Sequence, residues 1–166
     1  TYLYDLQGNR LSQTVTDLMT GESRTWRWTY TPQGLVATFT NPAGGQWVFG
    51  YDNLGNRTSN RDPLGRTTTY AHDLAGRIVS ENRPSGAVVT YRYDTRGRLV
   101  QTTITGPGMV ETTGYSYNAN GQLAKLTLPG GLEIIYSYDP AQRLIGMTDN
   151  RGNSVTYILD AAGNRI

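Results

Sequence analysis

The residue types that carry chemistry are sparse in this sequence. There is one histidine, His72, and no cysteine among 166 residues, which excludes disulfides and thiolate metal sites. For His72 to act as a general base it needs an oriented partner and a group to deprotonate within hydrogen-bond reach, and the sequence supplies neither. The aspartates are more regular. Asp5, Asp52, Asp73, Asp94, Asp139 and Asp160 recur once per stretch of similar sequence, as carboxylates along a calcium-binding solenoid would. Each, however, stands first in a turn, and the Gly-rich nonapeptide of such solenoids is absent. Trp26-Arg27-Trp28 and Tyr91-Arg92-Tyr93 interleave cation and ring as a single-strand nucleic-acid platform does. In a strand the arginine and the rings point to opposite faces, which argues against that use. No Ser-His-Asp set, phosphate loop or metal-ligand cluster occurs. The expectation is therefore no catalytic, cofactor-binding or metal-binding residue, no cofactor and no enzyme activity.

What must position these residues is a repeat. From the second tyrosine of Tyr91-Arg92-Tyr93-Asp94-Thr95-Arg96-Gly97-Arg98-Leu99, the equivalent positions are Tyr4, Tyr30, Tyr51, His72, Tyr93, Tyr117, Tyr138 and Leu159. They are separated by 26, 21, 21, 21, 24, 21 and 21 residues, a period that means a repeat architecture. Before each position apolar and polar residues alternate, as in Trp47/Phe49/Tyr51, Val89/Tyr91/Tyr93 and Ile134/Tyr136/Tyr138. Period two predicts a strand with one buried face and excludes an amphipathic helix. All twelve tyrosines fall in the two columns so defined. Rings two residues apart share a face, and stacking the units strand by strand predicts an aromatic ladder.

Turn chemistry punctuates the strands. Asp52-Asn53-Leu54-Gly55, Asp73-Leu74-Ala75-Gly76 and Asp94-Thr95-Arg96-Gly97 place an Asx acceptor first and a residue tolerant of positive φ fourth. About ten residues later comes a second loop, such as Asn41-Pro42-Ala43-Gly44, Asp62-Pro63-Leu64-Gly65 or Arg83-Pro84-Ser85-Gly86, with proline second. The return strand between them follows a weaker pattern, and Arg57-Thr58-Ser59-Asn60-Arg61 is almost wholly polar. Three extra residues near Gly106-Pro107-Gly108-Met109 are expected to extend a loop. Thr31 and Asn118 replace aspartate and Gln142 replaces glycine, which predicts looser turns there. The simplest product is an antiparallel meander of about fourteen short strands.

Composition fits this reading. Apolar residues make up 37% and charged residues 17% of the chain, with a mean hydropathy of −0.50, which suits a folded chain with no membrane span. Net charge is +2 and spread along the sequence, so no nucleic-acid partner is expected. The chain opens on Thr1 without a basic-then-apolar leader, as an internal or processed piece would.

The phrase Tyr-x-Tyr-Asp-x-x-Gly-Arg-Leu, as at Tyr91 to Leu99, resembles the YD repeat of the RHS (rearrangement hotspot) family, and the resemblance spans essentially the whole chain. It implies an all-β fold of tandem β-hairpins forming an extended, twisted or spiralling antiparallel sheet, an open segment of an RHS shell. Residues 1–166 are then a single repeat domain of about seven repeats of roughly 21 residues plus a partial eighth, a fragment of a larger protein. In bacterial polymorphic toxins and toxin complexes such shells hold a C-terminal toxin, and teneurins use a related barrel in adhesion. The resemblance implies a structural scaffold in an exported bacterial protein. Its implied partners are neighbouring repeats of the same polypeptide and an encapsulated toxin domain outside this chain. The family's Asp-dependent self-cleavage region and toxin domain are not found here, and Asp62-Pro63-Leu64-Gly65 fits an ordinary turn. Two further partners are weighed: a glycan or receptor on exposed aromatics, and self-association through open strand edges.

Overall fold

Alternating side chains and left-handed glycines dictate short strands joined by tight reversals, and a computed structural model of the chain, describing all residues Thr1–Ile166, has that form. Two compact units are present, Thr1–Ala87 and Val88–Ile166. The first contains β1 (Tyr2–Tyr4), β2 (Arg10–Thr16), β3 (Ser23–Tyr30), β4 (Val36–Thr40), β5 (Gln46–Tyr51), β6 (Arg57–Arg61), β7 (Thr67–His72) and β8 (Ile78–Asn82). The second contains β9 (Val88–Tyr93), β10 (Leu99–Gly106), β11 (Met109–Tyr117), β12 (Leu123–Thr127), β13 (Glu133–Tyr138), β14 (Leu144–Asp149) and β15 (Ser154–Thr156). A single 3-10 turn, Pro129–Gly131, joins β12 to β13. Within each unit every strand pairs antiparallel with the next in the chain. No helix is long and apolar enough to cross a membrane.

The strand total is fifteen rather than about fourteen, because β15 opens a further, partial repeat. Even the polar stretch Arg57–Arg61 is a strand, since ladder hydrogen bonds need only the backbone. The three residues added near Pro107 lengthen strands rather than a loop. Pro107-Gly108 makes a two-residue turn with Gly108 at φ +75°, and Thr105 and Ile104 pair with Val110 and Glu111. Proline followed by a left-handed glycine closes the hairpin so tightly that the added residues join the β10–β11 ladder.

One face of each unit carries the rings, half-buried except for the exposed Tyr2 and Tyr4 of β1, and the other carries exposed Arg27, Arg92, Ser116 and Ser137. Hydroxyls pair across strands on that second face, as in Thr14–Thr25 at 2.9 Å and Thr29–Thr38 at 2.7 Å. The expected aromatic ladder does not form. A return strand separates consecutive tyrosine strands, placing like rings about 9.6 Å apart, beyond the ~7 Å limit of ring pairing. Ring pairs occur where a return strand contributes its own ring: Trp28–Phe39 and Phe39–Trp47, both with centroids 5.4 Å apart. Tyr2 and Tyr4 also meet along one strand at 6.4 Å.

Candidate functional site

The residues of the repeat phrase come together at the joint between one hairpin and the next. Asp94 organises its turn. Its Oδ1 accepts the backbone N–H groups of Arg96 and Arg98, both at 2.9 Å. Its backbone N–H donates to Arg98 O, and Gly97 N–H donates back to Asp94 O. This is a type I turn closed by a left-handed glycine at φ +80°. Asp94 Oδ2 then receives the Arg98 side chain, from Nε at 2.8 Å and Nη2 at 2.7 Å. The same turn recurs in two versions that differ in the residue reaching Oδ2. Arginine does so at Arg66, Arg77, Arg98 and Arg143. Asparagine does so at Asn9, Asn56, Asn153 and Asn164.

These bonds favour the ionised carboxylate, so the turn aspartates titrate below the ordinary value of 3.8. In Asp73 and Asp52 the leading cause is the side-chain hydrogen bond from Arg77 and Asn56 respectively. In Asp94 and Asp139 it is the backbone N–H of Arg98 and Arg143. Such depressed carboxylates make turns, and they are poor proton donors or acceptors near neutrality.

The joint is completed by the tyrosine of the following hairpin. Tyr117 donates its phenol hydrogen to Leu99 O at 2.8 Å, while its ring lies against the guanidinium of Arg98, 4.5 Å from Cζ to the ring centroid. Arg98 Nη1 is buried with no hydrogen-bond partner, and the π face of Tyr117 is what it meets there. Tyr30, Tyr51 and Tyr138 make the equivalent phenol bonds to Arg10 O, Val36 O and Leu123 O, at 2.9, 2.9 and 2.8 Å. Each acceptor carbonyl lies just beyond the last pair of its ladder. β2 and β3 pair only as far as Ser12↔Arg27, and Tyr30 reaches past that point to Arg10. A backbone carbonyl half withdrawn from water needs a donor, and the phenol is that donor. Aspartate pins arginine, arginine covers the next tyrosine, and that tyrosine caps the carbonyl beside the arginine. This clasp accounts for the whole Tyr-Asp-x-x-Gly-Arg-Leu phrase.

Sequence reasoning missed a bulge beside every clasp. Each return strand carries one extra residue opposite its tyrosine strand: Leu11, Ala37, Thr58, Val79, Val100, Ala124 and Ile145. A bulge sharpens local twist and shifts which face the return strand presents. The irregular pattern after each turn was its only trace in the sequence.

The substituted positions fall into place. Asn118 keeps its turn tight, with Gln122 N–H at 3.0 Å from its Oδ1. Gln142 takes the left-handed conformation of glycine at φ 64°, and Asp139 O still accepts its N–H at 2.9 Å. Only Thr31 fits the expectation of looser turns, with contacts of 3.2 and 3.3 Å. His72 stands in the tyrosine column, half-buried on the ring face, with no base-orienting partner. Trp26 and Trp28 are half-buried while Arg27 is exposed, on the opposite face as strand geometry requires. No group of three or more His, Asp or Glu side chains is placed to hold a metal ion.

Comparison with known proteins follows from this geometry. The family described as teneurin YD-shell matches residues 1–165. A TcdB2–TccC3–Cdc42 assembly contains a similar structure, with TM-score 0.82 and 17% identity over 98% of this chain and 11% of that one. The Tc holotoxin pore of Photorhabdus luminescens, carrying a TccC3 mutation, gives TM-score 0.79 and 18% identity over 97% of this chain and 10% of that one. The chain thus spans about a tenth of the length of these solved chains. No curated protein matches it.

Proposed function

The chain belongs to the teneurin YD-shell family, and from that premise we propose that it is a length of wall in an RHS-type shell, one repeat array within a longer exported protein. The shell encloses a C-terminal toxin domain located outside these residues and helps to deliver it. The observation that carries this reading is the phenol-to-carbonyl joint between successive hairpins, repeated at Tyr30, Tyr51, Tyr117 and Tyr138. Such a joint builds a continuous surface from similar parts and needs no chemical centre, so the wall takes no catalytic part. Its partners are neighbouring repeats of the same polypeptide and the enclosed domain.

Limited proteolysis of the longer protein tests the reading. With the wall intact, the C-terminal domain resists protease until denaturant opens the shell. With Tyr117→Phe and Tyr138→Phe combined, that protection fails at lower denaturant. Immediate digestion of the C-terminal domain in the intact protein contradicts enclosure.

A second reading has one observation in its favour. All three tryptophans and both phenylalanines lie on β3, β4 and β5, half-buried, with Trp28, Phe39 and Trp47 in a continuous row. Stacked rings with one open side suit a glycan or the surface of a receptor. Quenching of tryptophan emission by an oligosaccharide series supports this use, and unchanged emission removes it.

A further inference from the structure

Phenol-to-carbonyl bonds join successive hairpins of the first unit at two seams, Tyr30 to Arg10 O at β2–β3 and Tyr51 to Val36 O at β4–β5, and the third seam, β6–β7, is built differently. His72 occupies the tyrosine position there and makes no hydrogen bond to Arg57 O, the carbonyl a phenol would cap. The cation is turned as well. Arg10 and Arg98 lie over rings of the following hairpin, Trp28 and Tyr117. Arg57 instead lies over rings of its own hairpin, Phe49 at 4.5 Å and Tyr51 at 5.9 Å. Asn56, the other side chain within reach, is occupied by Asp52.

Packing on the ring face is equally thin at this line. At β4–β5 the facing pair is Phe39 and Trp47; at β6–β7 it is Asn60 and Thr68. A cleft of about 630 Å³ lies along these strands, with Asn60, Asp62, Arg66, Thr68, Glu81 and Arg83 in its wall. Asn60 Oδ1 is buried there without a hydrogen-bond partner. The tyrosine position is also altered at Leu159, where Arg143 Nη1 instead reaches Asp160 O at 3.0 Å, so that seam keeps a link across it.

We propose that the β6–β7 line is a built-in opening seam, the place where this unit parts first while the hairpins on either side stay folded. Backbone ladder bonds hold it, and the phenol bond and ring contact that hold β4–β5 are replaced by polar residues. Local opening of this kind is set by such differences in side-chain contact.

Hydrogen exchange on the full chain tests the seam. Amides that bond across the seam, those of Asn60, Asp62 and Thr68, are expected to exchange on the order of tenfold faster than those of Phe39, Asn41 and Trp47 across β4–β5. His72→Tyr installs the missing phenol and slows exchange at β6–β7 several-fold, leaving β4–β5 unchanged. The pair Asn60→Phe with Thr68→Trp supplies the missing ring contact and acts in the same direction. Equal exchange at the two seams in the unaltered chain overturns the proposal. So does a folded His72→Tyr protein whose β6–β7 amides exchange as before.

Discussion

At the scale of single residues, the tyrosine column does two jobs that its alternation did not distinguish. The pattern placed the rings on one face, where they are. It did not show that Tyr30, Tyr51, Tyr117 and Tyr138, which precede the turns, are tied by their hydroxyls, because the bond goes to a carbonyl 15 to 20 residues earlier. Tyr138→Phe removes that bond alone and is expected to cost about 0.5–1.5 kcal/mol. Tyr115→Phe, in the other column and without such a bond, is expected to stay within about 0.5 kcal/mol of the parent in the same denaturation series. Gln142 was legible as a break in the glycine pattern, and the structure shows the turn kept at the expense of a left-handed backbone. Gln142→Gly therefore relieves strain and stabilises by about 0.5–1 kcal/mol in urea denaturation.

At the scale of elements, turns were the most readable part of the chain and insertions the least. Asp-x-x-Gly specifies its own geometry through bonds within five residues, so Asp52 and Asp94 could be read without tertiary information. The added residues around Pro107 looked like loop because no strand pattern distinguishes Thr105 and Val110 from a connection. Their pairing depends on a partner strand that the local sequence does not name. Gly108 fixes that hairpin, and Gly108→Ala is expected to destabilise by about 1–2 kcal/mol through its positive φ, measured by thermal unfolding. The bulges escaped detection for a related reason. An extra residue such as Val100 or Ala124 merely blurs the alternation, and only the opposing strand reveals that two residues face one.

At the scale of the whole molecule, stability is distributed among many similar joints. The single fully buried hydrophobic side chain is Val89. A repeat array of this kind is held by nearest-neighbour contacts, not by one core, and the period of 21 residues already said so. The turn carboxylates act together in acid. Their folded-state pKa values lie below the unfolded value of 3.8, so their stabilisation is complete above that value and is lost as pH falls through the folded values. The melting temperature should be flat from about pH 7 to 5 and fall steeply below about pH 4, and a flat profile down to about pH 2 would remove the carboxylates from the account. The central claim is that a hairpin is completed by the tyrosine of the next wherever a tyrosine such as Tyr30, Tyr51, Tyr117 or Tyr138 stands there. Hydrogen exchange in Tyr117→Phe tests it most directly. The claim predicts that protection falls at the Asp94, Gly97 and Arg98 amides of the preceding turn, while the Asn118 and Gly121 amides, next to the substitution in sequence, keep theirs. Loss confined to residues 118–122, with the preceding turn unchanged, would contradict it.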